Sequence, residues 1–568
     1  MSSLFLLIVM SFCFWLAYKI YGRFLAQKIF RLNPQTICPS HSQRDDLDYI
    51  PTNKQVLFGH HFTSIAGLGP IVGPAIAIIW GWVPAVLWIL FGSIFIGAVH
   101  DFGALIISLR AQGRSVGDLA ADIINKRVRT LFLLIIFFGL WIVISVFALI
   151  IAILFTMYPE SVLPVWLQIP IAVILGIMIY QKNKNPNIMG IIAVILMYLT
   201  IIMGAFLPLN LPGFFGFEPI AVWIVILLIY VFFASTLPVQ LLLQPRDFIN
   251  SYQLLVAMVF LALGICLANP SIVAPAINLA PPGAPALFPA IFVVIACGAI
   301  SGFHSLVSSG TSSKQCDKEQ DTLFIGYGSM LIEAILAILV IIAVSAGLGM
   351  GLKTQTGEVL KGVAAFNYQY ASWSQASGLS SKLSAFVTGS ANLIRTIGIP
   401  AKITITIMGV FLVSFAATTL DTATRIQRYV VGELACAWRM PKLKNKYSAT
   451  CIAVFSALVL AFFNGSGKGA LVLWPLFGAL NQLLAGLALL VITISLARKK
   501  INALATAIPM VFMILMTGWA MLINLNNFYK NSNWGLFVIS ICVLMLEIWM
   551  ILESGLVIKE VYAKKSKK

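Results

Sequence analysis

Charged residues are scarce in this sequence: only 10% of its 568 residues are Asp, Glu, Lys or Arg, whereas 60% are hydrophobic. Soluble domains carry about 25% charged residues, so a soluble globular protein is excluded. The eight cysteines are scattered and form no C-x-x-C pair, which indicates neither a disulfide framework nor a zinc site. No Walker A loop or nucleophile elbow is present. We therefore expect a non-enzyme without a cofactor or a bound metal.

Acidic residues are the scarcer of the two charged classes, with 19 Asp and Glu against 37 Lys and Arg, which gives a formal net charge of +18. The basic residues lie mainly in short loops between apolar runs, a pattern typical of cytoplasmic loops. This placement argues for a lipid bilayer as the partner and against nucleic acid. The bilayer offers the backbone no hydrogen-bond partners, so the apolar runs are predicted to be helices.

The apolar runs predict an all-α, polytopic membrane protein with about fifteen transmembrane helices, since a span needs about 20 residues. The predicted spans are 3–18, 57–80, 83–109, 130–157, 164–181, 188–208, 219–241, 252–269, 287–309, 322–349, 402–424, 448–463, 470–496, 503–525 and 533–553.

The loops between these runs alternate in charge. The loops 110–129, 182–184 and 425–446 are basic, whereas 158–163, 209–218 and 270–286 contain no Lys or Arg. This alternation predicts an N-terminus outside the cell and a cytoplasmic C-terminus. The segment 350–401 is predicted to hold short helices that lie on or dip into the outer face. It departs from the charge pattern through four basic residues, Lys353, Lys361, Lys382 and Arg395.

The second predicted span is a poor candidate for a regular helix. Three glycines and two prolines fall between Gly67 and Pro74, and these residue types weaken or break the helical hydrogen-bond pattern. Irregular backbone at membrane depth is tolerated where it lines a cavity, and broken helices often form the binding sites of secondary transporters. We therefore predict substrate binding at Gly67, Gly69 and Gly73, although a packing kink would produce the same pattern.

A second interruption is predicted at 234–240, which makes Ser235 and Gln240 further substrate-binding candidates. Five predicted spans lie in 57–208 and five in 219–424, and an odd number per set inverts the second set relative to the first. This arrangement indicates a five-plus-five inverted repeat with peripheral helices, as in LeuT-like transporters. The chain then divides into an N-terminal helix and loop (1–56), a transporter core (57–430), and C-terminal helices with a basic tail (431–568).

The ninth predicted span ends in the serine-rich stretch 301–314. His304 is a candidate for substrate binding, and the hydroxyls of Ser308 and Ser309 for binding the coupling ion. A close packing face between helices explains the serines equally well. His61 is a further substrate candidate, but His60 and His61 are adjacent on a helix and point about 100° apart, so they are poorly placed to bind one metal ion together.

Ionisable residues inside membrane spans are expensive and usually functional. Three carboxylates, Asp101, Glu333 and Asp421, are candidates for binding the coupling ion. Arg110 and Arg425 could neutralise Asp101 and Asp421 in static salt bridges. Glu333 has no cation nearby in the sequence and is the strongest candidate for a proton carrier.

Six long motifs between residues 55 and 485 resemble the carbon starvation protein A (CstA) family. They are FGHHFTSIAGLGPIVGP (58–74), GAVHDFGALIISLRAQGRSVG (97–117), LLQPRDFINSY (242–252), ACGAISGFHSLVSSGTSSKQ (296–315), TTLDTATRIQRY (418–429) and WPLFGALNQLLA (474–485).

The resemblance implies a transporter of the bacterial inner membrane that takes up small organic nutrients, such as peptides or pyruvate, during carbon starvation. It also implies the inverted-repeat fold of the amino acid–polyamine–organocation superfamily. We therefore expect a symporter driven by a coupling cation, proton or sodium. The alternatives are a nutrient-binding membrane sensor that does not translocate its ligand, and a channel.

Overall fold

A computed structural model describes residues 1–214 and 216–566, and these residues form an almost entirely helical bundle. The last two residues of the predicted basic tail lie outside the described residues. Several of the helices begin where a polar side chain caps the first turn. The Asn125 side chain, for example, accepts a hydrogen bond from the backbone N–H of Val128 at the start of a 32-residue apolar helix.

We number the principal helices in chain order. They are α1 (Ser3–Ile29), α2 (Lys54–Ala66), α3 (Gly69–Trp80), α4 (Trp82–Arg110), α5 (Lys126–Met157), α6 (Pro159–Gln181), α7 (Pro186–Phe206), α8 (Pro219–Thr236), α9 (Leu243–Ala268), α10 (Leu287–Val294), α11 (Ala296–Ile300), α12 (Gly302–Val307), α13 (Glu319–Met350), α14 (Leu379–Arg395), α15 (Ala401–Ala437), α16 (Lys446–Phe462), α17 (Trp474–Arg498), α18 (Leu504–Lys530) and α19 (Trp534–Ser566).

Shorter elements connect these helices. They are the helices Pro39–Ser42, Val116–Ile123, Gly362–Gln369 and Trp373–Ala376, and a small antiparallel hairpin of strands β1 (Leu352–Lys353) and β2 (Val359–Leu360).

Within the described residues, twelve helices are long and apolar enough to cross a bilayer, and the bent pair α2–α3 makes a thirteenth span. The other two of the predicted spans correspond to α16, which has only 17 residues, and to the broken segment α10–α12. The predicted polytopic helical fold is confirmed. Its spans differ from the prediction mainly in length: α9 begins at Leu243 and α15 continues to Ala437, because charged residues continue both helices.

Burial separates the helices into a core and a periphery. In α5, α13, α15 and α17, 78 to 94% of the most apolar stretch is buried inside the protein. In α1, α7, α18 and α19 the buried share is 28 to 39%, so these helices present most of their apolar surface outward, as lipid-facing helices do. The functional candidates must therefore be sought among the core helices and the segments that they enclose.

The predicted break in the second span is present. Helices α2 and α3 meet at an angle of 42°, and Gly67 and Leu68 lie between them. A side chain at Gly67 would be only 2.6 Å from the Thr419 hydroxyl of α15, so the absence of a Cβ allows the core helix to approach the break. The break is thus covered by protein and not by lipid, as unpaired backbone groups require.

The second break lies elsewhere than predicted. Helix α8 runs without interruption to Thr236, and residues 237–242 form the turn that connects it to α9. The interrupted helix is instead the segment α10–α12, which leaves helical geometry at Ile295 and at Ser301. The prediction that the segment 219–241 contains an interrupted helix is therefore wrong. A proline in the turn at 238 produced the signal, and proline is equally common where a helix ends.

The two broken helices pack closely against one another. A methyl group on Gly69 would lie 1.9 Å from Cβ of Cys297, and one on Gly73 would lie 2.4 Å from the carbonyl oxygen of Val294. Both distances are shorter than any real contact, so these positions accept only glycine. Gly69 and Gly73, which follow the first break, therefore also allow α3 to pack against the second broken helix.

We predict that Gly69→Ala lowers the melting temperature of the purified protein, because the added methyl group forces α3 and α11 apart. Overpacking of this kind typically costs about 1–3 kcal/mol. The double variant Gly69→Ala/Cys297→Gly should recover part of the loss, since it removes the atoms that clash. Gly518→Ala in α18 is the control, because no atom lies within 4 Å of its added methyl group. A Gly69→Ala protein as stable as Gly518→Ala would contradict this account of the packing.

Candidate transport site

A cavity of about 740 Å³ lies against both broken helices. Its rim carries exposed residues just before α10 and at its start, such as Pro285 and Phe288, so the cavity opens on the side opposite the basic loops. Its floor is formed by Gly69, Gly73 and Cys297. This volume is within the range of about 300–1,000 Å³ that small-molecule binding sites occupy.

The wall of the cavity is mostly apolar, with a few amide and hydroxyl groups. Phe147, Trp373 and Phe477 supply aromatic surface, and Ser377, Asn481, Asn524 and Asn527 supply polar groups. Helix α3 begins at Gly69, so its amino-terminal end is directed to the floor, where its partial positive charge favours an anion. The site thus suits a small organic molecule with an apolar body and polar ends.

Asn481 connects the cavity floor to the second broken helix. Its side-chain amide donates to the Cys297 sulfur and to the Ser301 hydroxyl, both at 3.1 Å, and its oxygen accepts from the backbone N–H of Phe303 at 3.0 Å. The amide therefore pairs backbone and side-chain groups at the break at Ser301. The backbone N–H of His304 donates to the Ser301 carbonyl at 3.1 Å, which places His304 one turn behind the cavity floor.

His304 lies between two carboxylates in a fully buried cluster. Its Nδ1 is 3.3 Å from a carboxylate oxygen of Asp101, and its Nε2 is 3.5 Å from one of Glu333. Neither approach has hydrogen-bond geometry, and both Glu333 oxygens lack a hydrogen-bond partner in the described part of the chain. Ser308 donates to the other oxygen of Asp101 at 2.9 Å. Four of the predicted residues, from α4, α12, α13 and the π-helix Ser308–Ser312 that continues α12, are thus brought together.

This cluster is chemically suited to bind a proton. Burying the carboxylates of Asp101 and Glu333 close together is costly when both are ionised, and a proton removes one of the charges. The imidazole of His304 can accept and pass on a proton between two oxygens on its opposite sides. His61 lies nearby in α2, where its Nδ1 is 2.8 Å from the Ser312 hydroxyl.

Asp421 does not pair with Arg425. It forms a buried ion pair with Arg246, and the Tyr230 hydroxyl donates to it at 3.1 Å. Gln168 accepts from Arg246 at 3.3 Å. The expected static salt bridge therefore exists, but its cation comes from α9 and not from the next turn of α15. Asp421 has a strong cationic partner, which fits a structural role better than ion coupling.

Arg110 does not pair with Asp101 either. It forms an ion pair with Glu319 at 2.5 Å and donates to the carbonyl oxygen of Phe30 at 2.8 Å. The expected neutralisation of Asp101 by Arg110 is therefore wrong, because the arginine lies more than two helical turns farther along α4 and reaches the end of the bundle.

The remaining candidates lie outside the cluster and do not line the cavity. Ser235 is buried near the end of α8, and Gln240 lies in the following turn, where its amide donates to the Asp46 carbonyl at 3.4 Å. Ser309 accepts from the backbone N–H of Val116 at 3.1 Å and donates within its own helix, as a packing residue does.

On the side of the basic loops, Asp48 closes the bundle. Its carboxylate is 2.7 Å from Arg425 and 3.0 Å from Arg428, and it accepts from the Tyr429 hydroxyl at 2.6 Å. Burial by itself would raise the pKa of Asp48, but the neighbouring cations and the tyrosine outweigh burial and hold that pKa well below its ordinary value. The loop that carries Asp48 is thereby fastened to the end of α15.

Sequence reasoning missed Asp48, Arg246 and Asp247. Asp247 lies 2.5 Å from Nδ1 of His60, and both side chains are fully buried. The charges of Arg246 and Asp247 led to the prediction that residues 242–251 form a loop. In the structure, residues 243–251 belong to α9 and extend it into the core. The one available signal was the lack of glycine between Gln244 and the apolar run, which is compatible with an unbroken helix.

Several known proteins are similar to this chain. The chain is 33% identical over 564 residues to the protein named Peptide transporter CstA of Campylobacter jejuni, across 91% of this chain and 79% of the relative. It is 32% identical over 586 residues to the protein named Pyruvate/proton symporter BtsT of Escherichia coli, across 92% and 81%. A solved manganese transporter of Eremococcus coleocola overlaps 91% of this chain and 99% of its own, with 14% identity and a TM-score of 0.39. Residues 2–520 match the family Carbon starvation protein CstA, and the chain belongs to that family.

Proposed function

We propose that this nutrient transporter is a proton-coupled symporter, in which a proton bound by Asp101, His304 and Glu333 drives the uptake of a small organic acid. The observation that carries the proposal is the fully buried carboxylate–histidine–carboxylate cluster directly behind the cavity floor. The named functions of the relatives support it, since one is a peptide transporter and another a pyruvate/proton symporter. Peptides and pyruvate share a carboxylate.

The cluster favours a proton over sodium. Sodium is bound by several oxygen atoms at once, whereas the group at the centre of this cluster is an imidazole whose two nitrogens face the two carboxylates. An imidazole nitrogen can accept or donate a proton, but it supplies no oxygen ligand for sodium. Ser308 supplies a hydroxyl to Asp101 only. The arrangement therefore resembles a proton relay more than a cation cage.

An alternating-access cycle is supported by a difference between the two ends of the molecule. The cavity is open opposite the basic loops, and the Asp48 contacts close the basic side. By the positive-inside rule the basic side is cytoplasmic, so this conformation faces outward. In the proposed cycle, the proton neutralises the cluster, substrate fills the cavity, and the closed side then opens by release of Asp48.

We predict that Glu333→Gln abolishes accumulation of substrate driven by a pH gradient in proteoliposomes, because the amide cannot take up a proton. Exchange of substrate across the membrane at equal pH should continue, since the cavity is intact. Glu547→Gln is a matched control: Glu547 is also buried in a span without a partner, but it lies in α19, away from the cavity. Full gradient-driven accumulation by Glu333→Gln would refute its role.

We also predict that Asp48→Asn opens the basic side, because the amide carries no charge to hold Arg425 and Arg428. Breaking a coupling of about 1–3 kcal/mol changes a population roughly 5- to 150-fold. The measurement is the labelling rate of Ile426→Cys, a position that is 3% exposed just inside the closure, in a protein without its native cysteines.

Asp46→Asn is the control for this experiment, since Asp46 lies on the same loop in an exposed pair with Arg44. Exposed pairs contribute little, so its labelling rate should equal that of the unmodified loop. Equal rates for Asp48→Asn and Asp46→Asn would show that the Asp48 contacts do not hold this side closed.

A further inference from the structure

Lys382 is the only residue with a formal charge among the described residues that line the cavity. Of the four basic residues in the segment 350–401, Lys353, Lys361 and Arg395 are exposed, whereas Lys382 is 8% exposed. No side-chain hydrogen bond or ion pair is formed by Lys382 with any described residue. A buried cation without a partner is rare, because burial removes its hydration and nothing replaces it.

The position of Lys382 on its helix adds to the free-energy cost of burying its charge. It lies in the first turn and a half of α14, where its backbone N–H donates to the carbonyl of Gly378 at 3.1 Å. The amino-terminal end of a helix carries partial positive charge and disfavours a nearby cation. Burial lowers the pKa of Lys382 to about 8, so the ammonium is still the main form at neutral pH. An anion that enters the cavity from outside the chain would supply the missing partner.

The cavity determines what this anion can be. Apart from Lys382, its wall offers aromatic and aliphatic surface with amides and one hydroxyl, and it has no second cation to bind a dianion such as phosphate. An ammonium in a site of low dielectric attracts a single carboxylate strongly. A molecule with one carboxylate and a small apolar body matches both the charge and the wall.

We propose that Lys382 binds the carboxylate of the transported nutrient and thereby makes the transporter selective for carboxylate-bearing substrates. This inference rests on the proposed function, because it identifies the substrate class of the same cavity. The carboxylate of a small oxo acid and the C-terminal carboxylate of a short peptide share this chemistry. Each makes the same contact, so separate probes are needed to tell them apart.

The test measures counterflow in proteoliposomes without a proton gradient, with pyruvate and alanyl-alanine as acids and their amides, which lack the carboxylate, as matched probes. Lys382→Met should raise the half-saturation concentration of an acid by about tenfold or more, since a charge-assisted contact is lost. Lys382→Arg should remain close to the wild type, because it keeps the charge. The amides should be poor substrates of the wild type and equally poor substrates of Lys382→Met.

Lys361→Met is the control, since Lys361 belongs to the same segment but is exposed and does not line the cavity. Its half-saturation concentrations should be unchanged. Lys382→Met should also have a melting temperature at least as high as the wild type, because it replaces a buried, unpaired cation with an apolar side chain of similar length. A normal melting temperature ensures that weaker uptake reflects binding and not misfolding.

Each outcome of this test supports or overturns a specific part of the proposal. Saturation by pyruvate alone or by alanyl-alanine alone supports the proposal and identifies the source of the carboxylate. An unchanged half-saturation concentration in Lys382→Met, or equal transport of acids and amides by the wild type, overturns it. A wild-type protein that transports neither acid overturns the carboxylate assignment and with it the role of Lys382. If counterflow depends on Lys382 but uptake does not respond to an imposed pH gradient, proton coupling is overturned and the role of Lys382 remains intact.

Discussion

A backbone that departs from helical geometry inside a bilayer must find its hydrogen-bond partners within the protein, because lipid supplies none. In this chain, the two segments that depart from it lie against each other. Gly69 and Gly73 bring α3 into contact with Cys297 and Val294, and Asn481 pairs with groups at the break at Ser301. The remaining architecture can be understood as the enclosure that this contact requires, with α5, α13, α15 and α17 shielding it from lipid.

The buried charges fall into two classes that differ in their partners. Arg246 with Asp421, and Asp48 with Arg425 and Arg428, are paired and hydrogen-bonded, so each of these charges has a partner of opposite sign. In the described part of the chain, Glu333 and Lys382 have no such pairing. A static protein gains nothing from an unpaired buried charge, whereas a transporter needs groups whose partners arrive with each cycle. We interpret Glu333 as a group that binds the coupling proton and Lys382 as a group that binds the carboxylate of the substrate.

Both of these groups lie next to the broken helices. Lys382 lines the cavity together with Gly69 and Gly73, and Glu333 lies behind its floor beside His304. The segment α10–α12 contributes Cys297 to the cavity and His304 to the cluster, so a movement of this one segment affects both sites. Such a shared element provides a physical basis for coupling, since a proton and a substrate that both bias its position also bias each other.

Much of this protein is determined by the sequence alone. The scarcity of charge and the length of the apolar runs predict a helical membrane protein, and the glycines and prolines after Gly67 predict the first break. The motifs predict the family. Glu333 could be identified as a buried carboxylate because the sequence around it offers no cation within helical reach.

Only the tertiary structure decided which charges are neutralised. Asp421 and Arg246 are 175 positions apart in the sequence, and Asp48 and Arg425 are 377 apart, so spacing along a helix pointed to the wrong partners. Lys382 is indistinguishable in sequence from the exposed Lys353 and Lys361, and its burial against the cavity follows from how α14 packs. The second break also depended on packing, since Ile295 and Ser301 are ordinary helical residues. A break at such positions is held by contacts with other helices and not by local backbone preference.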